Sequence, residues 1–305
     1  MSLGGREHSL ADGPYQAVVT EVGAGLRVLR HEGRDLVRSY DPDQVRPRYS
    51  GAVLAPWPNR VADGCYVFDG ETHQLPLSEP ERSNALHGLA AWDRFELQER
   101  TTSSVTLLDR LVPRSGYPFL VEVTVVYALD AEGLRTTVTA HNAGSRPAPW
   151  GTAAHPYLRA GTQHVDDVVL TVPADRVLDA TPDRLLPLGA VPVESLGLDF
   201  RQPRRIGDTF VDHAYTGLRA DEDGLARVLL SAPSGAGVEC VWDPGVLPWV
   251  QVHTADTPEA ATHRTGLAVE PMTCAPDAFN SGDGLVVLPP GGGHSAAWTI
   301  RAVGG

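Results

Sequence analysis

The chain has 305 residues, 42% of them hydrophobic, which is enough for a substantial core and within the range of one large all-β domain. Its formal net charge is −13 and all 25 of its Lys-plus-Arg residues are arginine, so Schiff-base chemistry, PLP anchoring, a Walker lysine and a Ser-Lys dyad are excluded. The acidic balance argues against nucleic acid and anionic membranes as partners, and no apolar run approaches the roughly 20 residues that span a bilayer.

Residues 1–14 are polar and lack an apolar secretory core, so they read as a disordered tail ahead of a single domain that fills the 305-residue chain. Short β-type runs then recur between turn signals, at 16–22, 26–30, 121–127, 134–141, 167–172, 226–231, 238–242, 249–253, 285–288 and 297–300. Two of them, Val121-Glu122-Val123-Thr124-Val125 and Thr136-Thr137-Val138-Thr139-Ala140, alternate apolar and polar as half-buried strands do. Gly133 between them supplies the positive φ of a hairpin turn. Helical periodicity is weak, with 174–178 and 258–261 as the best segments for a turn or two. Gly and Pro are frequent throughout, as a loop-rich β architecture requires. A large antiparallel β-sandwich, all-β in class, is the most economical fold.

Two acid/base groups each sit directly before a proline: His155 in Ala154-His155-Pro156-Tyr157 and Glu270 in Val269-Glu270-Pro271-Met272. A following proline forces extended backbone on the residue before it, which suits a side chain that must be aimed. A His and a Glu held this way can pass a proton in opposite directions. Three loop-like stretches add candidates: Ala55-Pro56-Trp57-Pro58-Asn59-Arg60, Ser83-Asn84-Ala85-Leu86-His87-Gly88 and Phe210-Val211-Asp212-His213-Ala214-Tyr215. Along 249–253, Trp249, Gln251 and His253 share one strand face, so Trp249 and Gln251 could wall a sugar site. The competing reading of Trp249 and Trp57 is core packing.

A metal site built from His87, His155, Asp212 and Glu270 has acceptable donors, but no H-x-H or H-E-x-x-H spacing supports it. There is no G-x-S-x-G elbow for Ser-His-Asp hydrolysis, and Gly291-Gly292-Gly293 reads as a turn before the last strand. A glycosidase would use Glu270 and Asp212 as its carboxylate pair. Cys65, Cys240 and Cys274 are odd in number and far apart, which reads as idle thiols in a reducing cytoplasm.

The blocks Ala55-Pro56-Trp57-Pro58-Asn59-Arg60, Asn84-Ala85-Leu86-His87-Gly88, His155-Pro156-Tyr157, Asp212-His213, Val269-Glu270-Pro271 and Pro276-Asp277-Ala278-Phe279-Asn280 occur in the order found in the aldose 1-epimerases, also called galactose mutarotases. The chain resembles that family over nearly its whole length. The resemblance implies a galactose-mutarotase-like supersandwich with an open sugar cleft, no cofactor, and a small-molecule sugar as substrate for a monomer or homodimer. It implies that Glu270 is the general base, His155 the general acid and His87 a second active-site histidine. Arg60 and Asp212, with Asn59 beside them, would hold ring hydroxyls, although Asp199 and Asp208 compete with Asp212. It leaves open a hexose 6-phosphate, for which Arg135, Arg204 and Arg205 are candidate ligands, and a non-catalytic sugar-binding protein. Acid/base catalysis of this kind implies a bell-shaped pH–rate profile.

Overall fold

The computed structural model describes residues 2–161 and 164–304. The alternating segment expected at 121–127 and 134–141 is the centre of its largest sheet. Strands Val121–Asp130 and Gly133–Asn142 form a hairpin paired from Val121↔Asn142 to Asp130↔Gly133. Valines and Tyr127 on one face of the first strand are buried while the residues between them are half exposed. The turn is only Ala131 and Glu132, and Gly133 returns the chain at φ +116°, a conformation that side-chain-bearing residues resist.

Nine antiparallel strands make up that sheet. Glu96–Arg100 and Ser104–Leu111 precede the hairpin, and Gly293–Val303, Gly237–Trp242, Ala226–Ser231, Val169–Thr171 and Arg204–Arg205 follow it across the sheet. A second sheet of six strands runs in the spatial order Tyr157–Leu158, Leu267–Met272, Trp249–His253, Asp212–Leu218, Ala174–Ala180 and Pro187–Pro192. Tyr215, Val250, Val252 and Val269, on one face of the six-stranded sheet, join Val121, Val123, Val125 and Tyr127 of the nine-stranded sheet in one apolar core. The antiparallel sandwich expected from the sequence is therefore the architecture, and the strand period of two puts the polar neighbours of those core residues on the opposite, cavity-facing side.

Three local expectations are corrected. Residues 7–12, read as part of a tail, form strand Glu7–Asp12, which pairs with Tyr15–Thr20 and buries His8 and Leu10. Two inward positions are too few to announce a strand in sequence. Residues 174–178 belong to strand Ala174–Ala180, because pairing to both Asp212–Leu218 and Pro187–Pro192 outweighs a five-residue hint of helix. Residues 258–261 are bends and turns, and among the described residues the α-helix is one turn, Ala278–Ser281.

Candidate active site

The polar face of the six-stranded sheet is built by register. Gln251 lies directly opposite Glu270 on one side and Ala214 on the other, and His253 lies opposite Asp212 and Ala268. Glu270, Gln251, His253 and Asp212 therefore project from three neighbouring strands to one side. Pro271 fits the middle of its strand for a specific reason. The N–H groups of Val269 and Thr273 point away from the Gln251 strand, to Pro156 O and Thr152 O, and Pro271 occupies the position between them. Its missing donor falls at the gap between the short strands Ala153–Ala154 and Tyr157–Leu158, where no ladder requires it.

His155 occupies that gap. Its N–H donates to Ala52 O at 3.0 Å and its carbonyl accepts from Gly51 N–H at 2.8 Å, so the backbone is anchored in both directions. The side chain lies among the rings of Tyr157, His87 and Tyr49, at centroid distances of 4.9, 5.2 and 6.4 Å. Its Nε2 lies 3.3 Å from Glu270 Oε1. The two residues that the sequence singled out before prolines, far apart in the chain, are in contact.

Both members of this pair are buried, Glu270 to 2% exposure. Burial, assisted by His253, pulls the His155 imidazolium down to about 3. Burial, and then the Asp212 charge, pushes the Glu270 carboxyl well above its usual range, with Arg60 opposing. Between those limits the pair holds one proton, on either the carboxyl or the imidazole. Glu270 Oε2 and Gln251 Oε1 are buried without a hydrogen-bond partner among the described residues, which leaves two acceptors for ligand hydroxyls.

His87 and Asn59 fix one another. His87 N–H donates to Asn59 O at 2.8 Å, and Asn59 N–H donates to His87 Nδ1 at 3.2 Å. An Nδ1 that accepts assigns the neutral ring's proton to Nε2, which leaves His87 as a donor. Burial, with His155 and Arg60 nearby, holds its pKa well below the ordinary histidine range. Both residues have positive φ, +55° at Asn59 and +61° at His87. The next residue must be glycine: at Gly88, φ is +72° and a Cβ would fall 2.1 Å from Ala55 O. Arg48, Tyr49 and Leu185, which also border the site, share the left-handed conformation, so strain is concentrated here.

Seven of the residues singled out from sequence, Glu270, His155, His87, Arg60, Asp212, Asn59 and Gln251, line a single cavity of about 660 Å³, a volume within the usual range of small-ligand sites. Asp212 Oδ1 accepts from Gln251 Nε2 at 2.7 Å. The region 210–215, read as a loop, is strand from Asp212 onward. Asp199 binds Arg201 instead, and neither it nor Asp208 borders the cavity.

Trp249 is the exception. It lies on the same strand face as Gln251 but at the other end from His253, where it packs with Leu178, Ala214 and Met272 in an apolar cluster outside the lining. Trp57 is also core, 5.6 Å from Phe279 ring to ring, with its indole N–H donating to Ala85 O. Arg135, Arg204 and Arg205 lie on the nine-stranded sheet, away from the cavity. The three cysteines are unpaired, and burial pushes the Cys274 thiol up to about 12, which makes it a poor nucleophile. Among the described residues no group of three or more His, Cys, Asp or Glu is arranged to hold a metal ion, and no helix is long and apolar enough to cross a membrane.

Sequence reading missed Glu79, Tyr49, His253 and Tyr157 as lining residues. Two of them carried a usable signal. Glu79 precedes Pro80, the same pattern that marked His155 and Glu270, and His253 shares the strand face of Gln251.

A family model described as Aldose 1-epimerase matches residues 6–301. An uncharacterized Escherichia coli (strain K12) protein, YihR, is 37% identical over 301 residues, covering 98% of this chain and 94% of its own length. The galactose mutarotase of Homo sapiens is 30% identical over 176 residues, which cover 55% of this chain and half of that protein. A crystal structure of a GalM/aldose epimerase homologue from C. elegans superposes with a TM-score of 0.85 at 18% identity, covering 98% of this chain and 99% of that one.

Proposed function

The chain belongs to the aldose 1-epimerase family, and on that premise we propose that it is a mutarotase that interconverts the α and β anomers of a free aldohexose such as galactose or glucose. The observation that carries the proposal is the 3.3 Å contact between His155 Nε2 and Glu270 Oε1 at a cavity bordered by hydroxyl-binding groups. Anomer exchange needs one base, one acid and oriented hydroxyls, and it needs no redox partner.

In the proposed reaction the Glu270 carboxylate takes the proton from the C1 hydroxyl. The O–H electrons form the C1=O1 bond, the C1–O5 bond breaks, and O5 receives the proton carried by His155. Rotation about C1–C2 presents the other face of the aldehyde, and the reverse transfers close the ring. Base and acid end each turnover as they began, since each ring-closure step returns the proton taken in ring opening. The starting arrangement, carboxylate plus imidazolium, differs from the buried neutral one by a single proton shift across the pair. Arg60 favours the Glu270 carboxylate, whereas Asp212 opposes that carboxylate while favouring the His155 imidazolium. Neutral His87 would donate Nε2–H to the sugar, while Asp212, Gln251 and Arg60 would hold its remaining hydroxyls.

The balance of charge around the cavity favours a neutral sugar over a phosphorylated one: three arginines border it against five carboxylates, and Arg60 is already paired to Glu79. A cytoplasmic setting fits the three unpaired thiols. The test is saturation transfer between anomeric proton signals, run on free hexoses and on their 6-phosphates. Transfer with the free sugars supports the proposal. Transfer only with the phosphates moves the assignment to a sugar-phosphate mutarotase, and binding without transfer to any sugar makes the protein a carbohydrate-binding member of the fold.

A further inference from the structure

The cavity contains a second buried ion pair, Arg60 with Glu79, whose carboxylate the reaction as written does not use. The side chains of Arg60 and Glu79 are 10% and 8% exposed. Arg60 Nε donates to Glu79 Oε2 at 2.8 Å and Nη2 donates to Oε1 at 2.9 Å, a two-pronged contact in one plane. A longer bond runs from Nη1 to Asn59 Oδ1 at 3.4 Å. A guanidinium carries five N–H donors in a rigid fork, so one donor on Nη1 and one on Nη2 stay uncommitted.

Glu79 is itself held. Asn84 Nδ2 donates to its Oε2 at 3.0 Å and also to Arg184 O at 3.0 Å, and Arg184 Nη2 returns a bond to Asn84 Oδ1 at 3.3 Å. The backbone at Glu79, ahead of Pro80, has φ −122° and ψ 69°, outside the helical region that a following proline disfavours. Burial works against the Arg60 charge, and Glu79, Asp212 and Glu270, which all border the same cavity, together restore it. A buried ion pair adds little net stability compared with an apolar pair of similar shape, so fixing a geometry is the better reason for this one.

We propose that Glu79 is the positioning residue for Arg60: it fixes the guanidinium plane so that the uncommitted N–H groups face the sugar, and it balances the charge that Arg60 presents to Glu270. This deepens the mutarotase reading and rests on it for the sugar. Without Glu79 the arginine would be free to swing onto Asp212 or Glu270, blocking the hydroxyl sites and holding the base as its carboxylate.

The experiment follows the Glu270 carboxyl by 13C NMR in glutamate-labelled protein, assigned by loss of its signal in Glu270→Gln, and measures KM and kcat alongside. Glu79→Gln should move the Glu270 titration to lower pH by about one unit and raise KM about tenfold with a smaller change in kcat. Glu79→Asp, which keeps the charge on a shorter arm, should hold the titration near wild type while still raising KM. In an Arg60→Gln background neither Glu79 variant should add to the effect. An unmoved Glu270 titration in Glu79→Gln overturns the proposal, and so do equal losses with and without Arg60. If Glu79→Gln does not fold, an unchanged KM in Glu79→Asp overturns it. The titration needs no turnover, so a wild type that accelerates no sugar would remove the mutarotase reading while still deciding the role of Glu79.

Discussion

Gln251 and Glu270 stand opposite one another on adjacent strands, and Gln251 donates its amide N–H to Asp212 Oδ1 on the next strand. One glutamine thus orients the carboxylate of one neighbour and leaves its own carbonyl beside the other. The cavity chemistry is laid out across three strands by register, and single substitutions should separate its parts.

Removing either member of the His155–Glu270 pair should remove turnover without removing the fold. Glu270→Gln and His155→Asn each preserve size and polarity, and each should lower kcat/KM by about 10²–10⁴-fold. The double variant should be little worse than the poorer single one, because the two groups share one proton. Anomer-exchange kinetics on the four proteins check this, and losses that multiply would contradict a shared proton.

The pH dependence has a definite sign. Turnover requires one proton on the pair. It is lost in acid only when His155 also becomes protonated, at about 3, and lost in alkali when the raised Glu270 gives up the shared proton. The bell is therefore broad, with its alkaline limb set by Glu270. Asp212 helps to raise Glu270, so Asp212→Asn should move that limb of kcat/KM to lower pH as well as weaken binding. A limb that stays in place, or moves to higher pH, would sink the assignment.

His87 should be neutral, with its proton on Nε2, throughout the range in which free histidines titrate. Long-range 15N–1H spectra should show an unprotonated Nδ1 and a protonated Nε2 for this ring between about pH 5 and 8, where an ordinary histidine would change state. A His87 signal that titrates near 6.5 would contradict the donor role.

Gly88→Ala should be costly out of proportion to one methyl group, since the new Cβ meets a backbone oxygen at 2.1 Å with φ at +72°. A loss of about 2–4 kcal/mol in denaturant unfolding is expected. Activity should fall too, because His87 is the preceding residue.

Trp249→Phe separates floor from wall. Packed with Leu178, Ala214 and Met272 outside the lining, Trp249 should contribute about 1–3 kcal/mol of stability through the volume it fills. KM for sugar should change little, whereas a large KM change with intact stability would restore the ring to the binding surface.

Much of this was legible in the sequence because it is local. The alternation at 121–127 and 134–141 gave the central hairpin, and the X-Pro positions of His155 and Glu270 marked extended, aimed residues. What was hidden depended on pairing between distant segments. Strand Ala174–Ala180 exists because two partners flank it, and Glu7–Asp12 because Tyr15–Thr20 does. Glu79 was overlooked although it carried the X-Pro pattern, since nothing local shows that Arg60 lies against it. Trp249 was misplaced because strand periodicity gives the face of a side chain but not which end of the face is open.

The most direct test is polarimetry on freshly dissolved α-D-glucose and α-D-galactose, with wild type, Glu270→Gln and His155→Asn side by side. The account predicts faster relaxation by the wild type to an unchanged equilibrium rotation with at least one of the sugars, and relaxation at the uncatalysed rate with both variants. No acceleration of either sugar by the wild type, or full acceleration by either variant, would contradict it.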